Sequence, residues 1–151
     1  MSAFDPDTFM NQATTEAGST TFEPIPAGEY PALIDDVKVR IVQGKDGSDR
    51  PVADIFYRLQ APDVAAKLGR DALTVKQGIF FDLTPNGALD MSKGKNVQLN
   101  KVRDAVGMNK PGQPFKLSNL KGAGPLKVQV TLRPDKSSDA VYNDVRSVGK
   151  M

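Results

Sequence analysis

Rings and cations fall together on one side of three alternating runs in this chain. In Val37-Lys38-Val39-Arg40-Ile41 the β-branched residues take one face, and Lys38 and Arg40 take the other. In Ala53-Asp54-Ile55-Phe56-Tyr57-Arg58-Leu59, Ile55, Tyr57 and Leu59 share one face, and Phe56 and Arg58 share the opposite one. In Val75-Lys76-Gln77-Gly78-Ile79-Phe80-Phe81, Val75, Ile79 and Phe81 line up as core, while Phe80 falls with Lys76. Period-2 alternation of this kind marks half-buried strands. The pattern therefore predicts Lys38, Arg40, Phe56, Arg58, Lys76 and Phe80 on the face away from the core. Rings beside cations suit a single-stranded nucleic acid, whose bases stack on rings and whose phosphates pair with cations.

The adjacent rings Phe56-Tyr57 and Phe80-Phe81 put one aromatic on each face whatever the register, because a slip of one residue exchanges the faces. Lys127, Arg133 and Arg146 on later runs join the candidate phosphate contacts. Tyr30 and Tyr142 stand near predicted strand ends and are read as rim tyrosines that pack and hydrogen-bond. The charged loops 44–50 and 133–139 are candidates to close over a bound strand.

Catalysis has little to work with. The chain has no histidine and no cysteine, and Ser137-Ser138 has no evident base. Asp54 and Asp82 fall on the polar face, but two strand acids without a third fit a surface better than a Mg²⁺ nuclease site. No catalytic residue, cofactor or metal is expected.

These side chains need a sheet to present them. Strands are predicted at 29–42, 52–60, 73–83, 126–132 and 141–148. The fourth is expected to face Leu126, Val128, Val130 and Leu132 to the core. Residues 62–69 read as one or two helical turns ended by Gly69. A helix is predicted over 96–106, with Leu99, Val102 and Val106 inward and Lys101 and Arg103 outward. A further short turn of helix is expected at 117–120. The fold class expected is mainly β: a five-stranded OB-fold-like barrel with one helix between strands three and four. An SH3-like barrel or a small sandwich shares the same pattern.

The 151 residues suit one domain. Residues 1–36 hold seven acids and no Lys or Arg, whereas the rest holds twenty cations against eleven acids, a balance of +9. Residues 1–21 thus read as a flexible acidic arm, with Phe4, Phe9 and Met10 as candidate anchors, ahead of a basic body at 22–151. No apolar run is long enough to span a membrane, and no signal peptide is visible. Absent cysteine fits a reducing compartment, so a cytoplasmic protein is expected.

The segment Phe22-Glu23-Pro24-Ile25-Pro26-Ala27-Gly28-Glu29-Tyr30-Pro31-Ala32 and the closing run Val141-Tyr142-Asn143-Asp144-Val145-Arg146-Ser147-Val148 resemble small phage-encoded single-stranded-DNA-binding proteins with an OB-fold. The similarity covers about residues 22–149. It implies sequence-independent coating of single-stranded DNA during replication or recombination in the infected host cell's cytoplasm, beside replication or recombination proteins. One departure stands out. Bacterial proteins of this function end in an acidic tail that recruits partners, whereas this chain ends Val148-Gly149-Lys150-Met151. Recruitment through such a tail is not carried over. The competing expectation is a phage structural protein, a capsid decoration or tail component that binds no nucleic acid.

Overall fold

The computed structural model describes residues 3–18 and 23–151. Phe22, where the resemblance begins, and parts of the 1–21 arm lie outside the described residues. Within the arm, a short helix α1 (Pro6–Met10) is capped by Asp5, whose carboxylate accepts from the Asp7 amide. Among the described residues Phe4, Phe9 and Met10 are exposed rather than anchored: they are 71%, 61% and 84% exposed, and the two rings stand 5.1 Å apart.

Five strands build the body: β1 (Gly28–Gln43), β2 (Asp49–Leu59), β3 (Leu73–Phe80), β4 (Leu126–Pro134) and β5 (Val141–Lys150). They form one antiparallel sheet in the order β3-β2-β1-β4-β5. The sheet is open, and its edge strands β3 and β5 approach each other without a ladder among the described residues. Helix α2 (Pro62–Leu68) links β2 to β3 and ends on Gly69 in the left-handed conformation. Helix α3 (Val97–Ala105) lies between β3 and β4, and a 3₁₀ turn follows at Leu117–Leu120.

Alternation explains the core. Ala32, Ile34, Ile55, Tyr57, Leu59, Leu73, Val75, Ile79, Leu126, Val128 and Val130 point inward and meet Leu99 and Val102 of α3. Tyr57 is wholly buried, and its hydroxyl donates to Gln77 Oε1 at 2.6 Å. Burial pushes its phenol well above the ordinary tyrosine range. Tyr30 packs on the core and donates to the Pro26 carbonyl at 2.6 Å, as a rim tyrosine should.

β1 is the long strand, and it changes partners along its length. It pairs with β4 over Gly28–Ala32 and with β2 over Ala32–Gln43, with a bulge between Ile34 and Asp36. Past the bulge, Val37 is still buried, but the β1–β2 hairpin runs on beyond the core. Val39 and Ile41, expected inward beside Val37, are therefore 54% and 62% exposed. The β4–β5 hairpin overruns in the same way, so Leu132 is exposed rather than core. β3 ends at Phe80, three residues sooner than expected, and Leu83 makes only an isolated bridge to Leu89.

The β3–α3 connection is held by Asn96, a buried residue in the left-handed region at φ 52°. Its Nδ2 donates to the carbonyls of Asp82 and Asp90, its Oδ1 accepts from the Asp82 amide, and its own amide donates to Asp82 Oδ2. Arg103, expected on the outside of α3, is buried. Its guanidinium sits 4.3 Å from the Phe115 ring centre, and Nε donates to the Met108 carbonyl.

Candidate nucleic-acid interface

The register brings the six leading candidates onto one face. Across the ladder, Asp36 pairs with Phe56 and Phe56 with Lys76. Lys38 pairs with Asp54 and Asp54 with Gly78. Arg40 pairs with Val52 and Val52 with Phe80. Directly opposed residues share a side of the sheet. Lys38, Arg40, Phe56, Arg58, Lys76 and Phe80 therefore all turn from the core, together with Asp36, Val52 and Asp54. Of each adjacent aromatic pair, the ring outward is the first: Phe56 is half-buried and Phe80 is 52% exposed, while Tyr57 is core and Phe81 packs against it.

Each outward ring carries a cation. Lys38 Nζ lies 5.6 Å from the Phe56 centroid, and the Arg50 guanidinium lies 5.1 Å from that of Phe80. A cation over a ring face is attracted by its quadrupole, which holds both groups in place. Arg50 was expected as the last residue of the closing loop 44–50, not on the strand face. It lies two residues before Val52, on the same side of β2, but Pro51 between them reads as a strand breaker. Extending the outward set 58, 56, 54, 52 by one more step would have found it.

Charge on this face is uneven. Arg40 Nε reaches Asp54 Oδ2 at 2.8 Å, and its Nη2 makes a longer contact of 3.4 Å to Oδ1. The Arg40 hydrogen bond holds the Asp54 carboxyl below the ordinary carboxylate range, against the opposing effect of burial, and the same bond raises Arg40. Asp36 is lowered chiefly by the Val37 amide and also by Lys121, 3.5 Å away. Both acids of the face are thus answered. Among the described residues, Lys38, Arg50, Arg58 and Lys76 make no ion pair within 4 Å, so their charges remain available to a ligand.

The remaining predicted contacts are not gathered here. Lys127 lies on β4, opposite Pro31 and Gly149, in a shallow hollow it shares with Glu29, Gln129 and Lys150. Arg133 is spent on Asp144 at 2.9 Å and sits 5.4 Å from the Tyr142 ring. Tyr142 is 48% exposed, not packed as expected. Arg146 stands at the β5 irregularity, exposed. Lys93, Lys95 and Lys101 line a separate hollow of about 530 Å³ beside α3, unforeseen because its loop has no period.

Asp54 and Asp82 are each engaged separately, Asp54 by Arg40 and Asp82 by Asn96. Among the described residues no three acids gather as a metal site would need. No described helix is long and apolar enough to cross a membrane. Compared with known protein families and with curated proteins, the chain matches none.

Proposed function

We propose that this protein binds single-stranded DNA without reading its sequence, through the β1–β2–β3 face, and shields the strand during replication or recombination. The observation that carries this reading is the pair of outward rings, Phe56 and Phe80, each under a cation and flanked by unpaired Arg58 and Lys76. Bases stack on such rings whatever their identity, and the cations follow the backbone. The strand order, α3 between β3 and β4, and the approach of the two edge strands support an OB-type sheet. In that fold the face of strands two and three takes oligonucleotides, with the β1–β2 and β4–β5 loops beside it. Replication and recombination as the setting rest on the resemblance to phage proteins, as do partners from that machinery.

The test is a fluorescence titration with oligo-dT and with duplex DNA. Single strands should bind tighter. With four unpaired cations at about 0.7 each, the slope of log affinity on log salt should be near −3. Equal affinity for duplex, or no salt dependence, would remove this mechanism.

One observation favours a second reading. Val39, Ile41 and Leu132 are exposed on the overrunning hairpins, as a structural phage protein with an apolar interface would have them. That reading expects self-association without any affinity for oligonucleotides.

A further inference from the structure

Gly78 stands in the middle of β3, between Lys76 and Phe80 on the side that carries the rings. Glycine weakens a strand interior, because it has more freedom to lose and no side chain to pack. Nothing in the fold asks for it. Its φ lies outside the left-handed region, and a Cβ built there would meet Asp54 Oδ1 at 3.5 Å and Val52 Cγ1 at 3.9 Å, both ordinary contacts. The sheet would accept a side chain at this position and would gain from a β-branched one.

The neighbours show what the missing side chain leaves open. Gly78 pairs with Asp54, and Val52 and Phe56 flank Asp54 on β2. Gly78 itself is exposed, while Val52 and Asp54 beside it point away from the core and are covered by their neighbours, Arg40 lying on Asp54. Phe56 and Phe80 stand at the two ends of this stretch, four residues apart along the ladder and one strand across, about 14 Å in all. Stacked bases lie about 3.4 Å apart, so the two rings cannot sandwich a single base. A strand stacked on both must cross the gap over Gly78. Arg40 borders that gap. Asp54 holds its Nε and, at 3.4 Å, its Nη2, while its side chain remains 53% exposed.

We propose that Gly78 is the floor of a nucleotide subsite between the two stacking rings, and that its lack of a side chain sets how closely the strand approaches the sheet. The inference rests on the single-stranded DNA reading of this face and adds a residue to it. The strand between the two stacked bases passes over Gly78, with Arg40 and Lys38 beside it.

Three variants test this by melting curves and oligo-dT titration: Gly78→Ala, Gly78→Val and, as a control on the same strand, Thr74→Val. Gly78→Val should melt no lower than the parent protein and bind at least about tenfold more weakly, the scale of one lost stacking contact. Gly78→Ala should fall between, and Thr74→Val should bind normally. If the parent binds oligo-dT and Gly78→Val binds as tightly, the subsite is wrong and the face reading stands. If the parent does not bind, both are wrong. If Gly78→Val melts early, Gly78→Ala decides: unchanged affinity overturns the subsite, and weakened affinity with a normal melt supports it.

Discussion

The molecule uses the same pairing, a cation against a ring, in two kinds of place. Arg103 and Phe115 meet at 4.3 Å beside α3, where Arg103 is 8% exposed and its Nε and Nη1 are taken by the Met108 carbonyl and by Asn100. Arg50 and Phe80 meet at 5.1 Å on the sheet face, where the ring is 52% exposed and the guanidinium has no ion-pair partner among the described residues. The attraction is alike, but the surplus differs. In the buried pair Nε and Nη1 are engaged and Phe115 is partly covered, so it fastens the chain after α3. The exposed pair keeps its charge and ring surface open, so it has something to offer a ligand.

That contrast can be broken in four ways. The largest effect should come from Tyr57, the inward neighbour of Phe56. Tyr57→Ala should cost roughly 3–5 kcal/mol of stability, read from denaturant unfolding, because it empties a filled core position. Arg103→Ala should cost roughly 2–3 kcal/mol, since it strips the Met108 carbonyl of its donor and uncovers Phe115. Its affinity for oligo-dT should not change. A weakened affinity in a folded Arg103→Ala protein would erase the distinction between the two regions.

On the sheet face the order of effects should invert. Phe56→Ala and Phe80→Ala should each weaken oligo-dT binding by roughly 1–3 kcal/mol. Their stability should change by less than about 1 kcal/mol, the scale of an exposed cation–π pair. Phe80→Ala should be the more costly to the fold, because Phe80 stands opposite the buried Val52. Early melting of both with normal binding would make these rings structural, like Phe115.

The smallest effect concerns Asp54. Its carboxyl is held below the ordinary value of 3.8 in the folded protein, so the unfolded chain takes up its proton first as pH falls. The Arg40–Asp54 pair therefore adds stability above about pH 4 and loses it below, as pH drops through the folded value. The stability gap between the parent and Asp54→Asn should be flat from pH 5 to 8 and close in acid. A gap that widens in acid would contradict the arrangement.

Much of this was legible in the sequence. Five strands and α3 follow from alternation and from the 99, 102, 106 spacing, and the outward set from Lys38 to Phe80 needed only period 2. What alternation does not carry is where a sheet outgrows its core. Val39, Ile41 and Leu132 fit the inward pattern perfectly well, yet no described element packs over the hairpins there. Arg103 misled because a cation on a helix reads as surface, and only the fold shows Phe115 beneath it. Arg50 was read into the 44–50 loop because Pro51 follows it, whereas it stands on β2.

The bulge at Asp35 has a consequence of phase. Before it, the inward residues of β1 are the even ones, Ala32 and Ile34; after it, the odd one, Val37. The strand is thus written in two half-turns, and Asp35 is the silent beat between them. Removing that one residue would close the bulge into an unbroken ladder with Ile34 and Val37 still inward, and would leave Lys38 and Arg40 on the side that carries the rings. The extra residue therefore bends and twists the hairpin at this point, while the pairing on either side of it decides which way the side chains face.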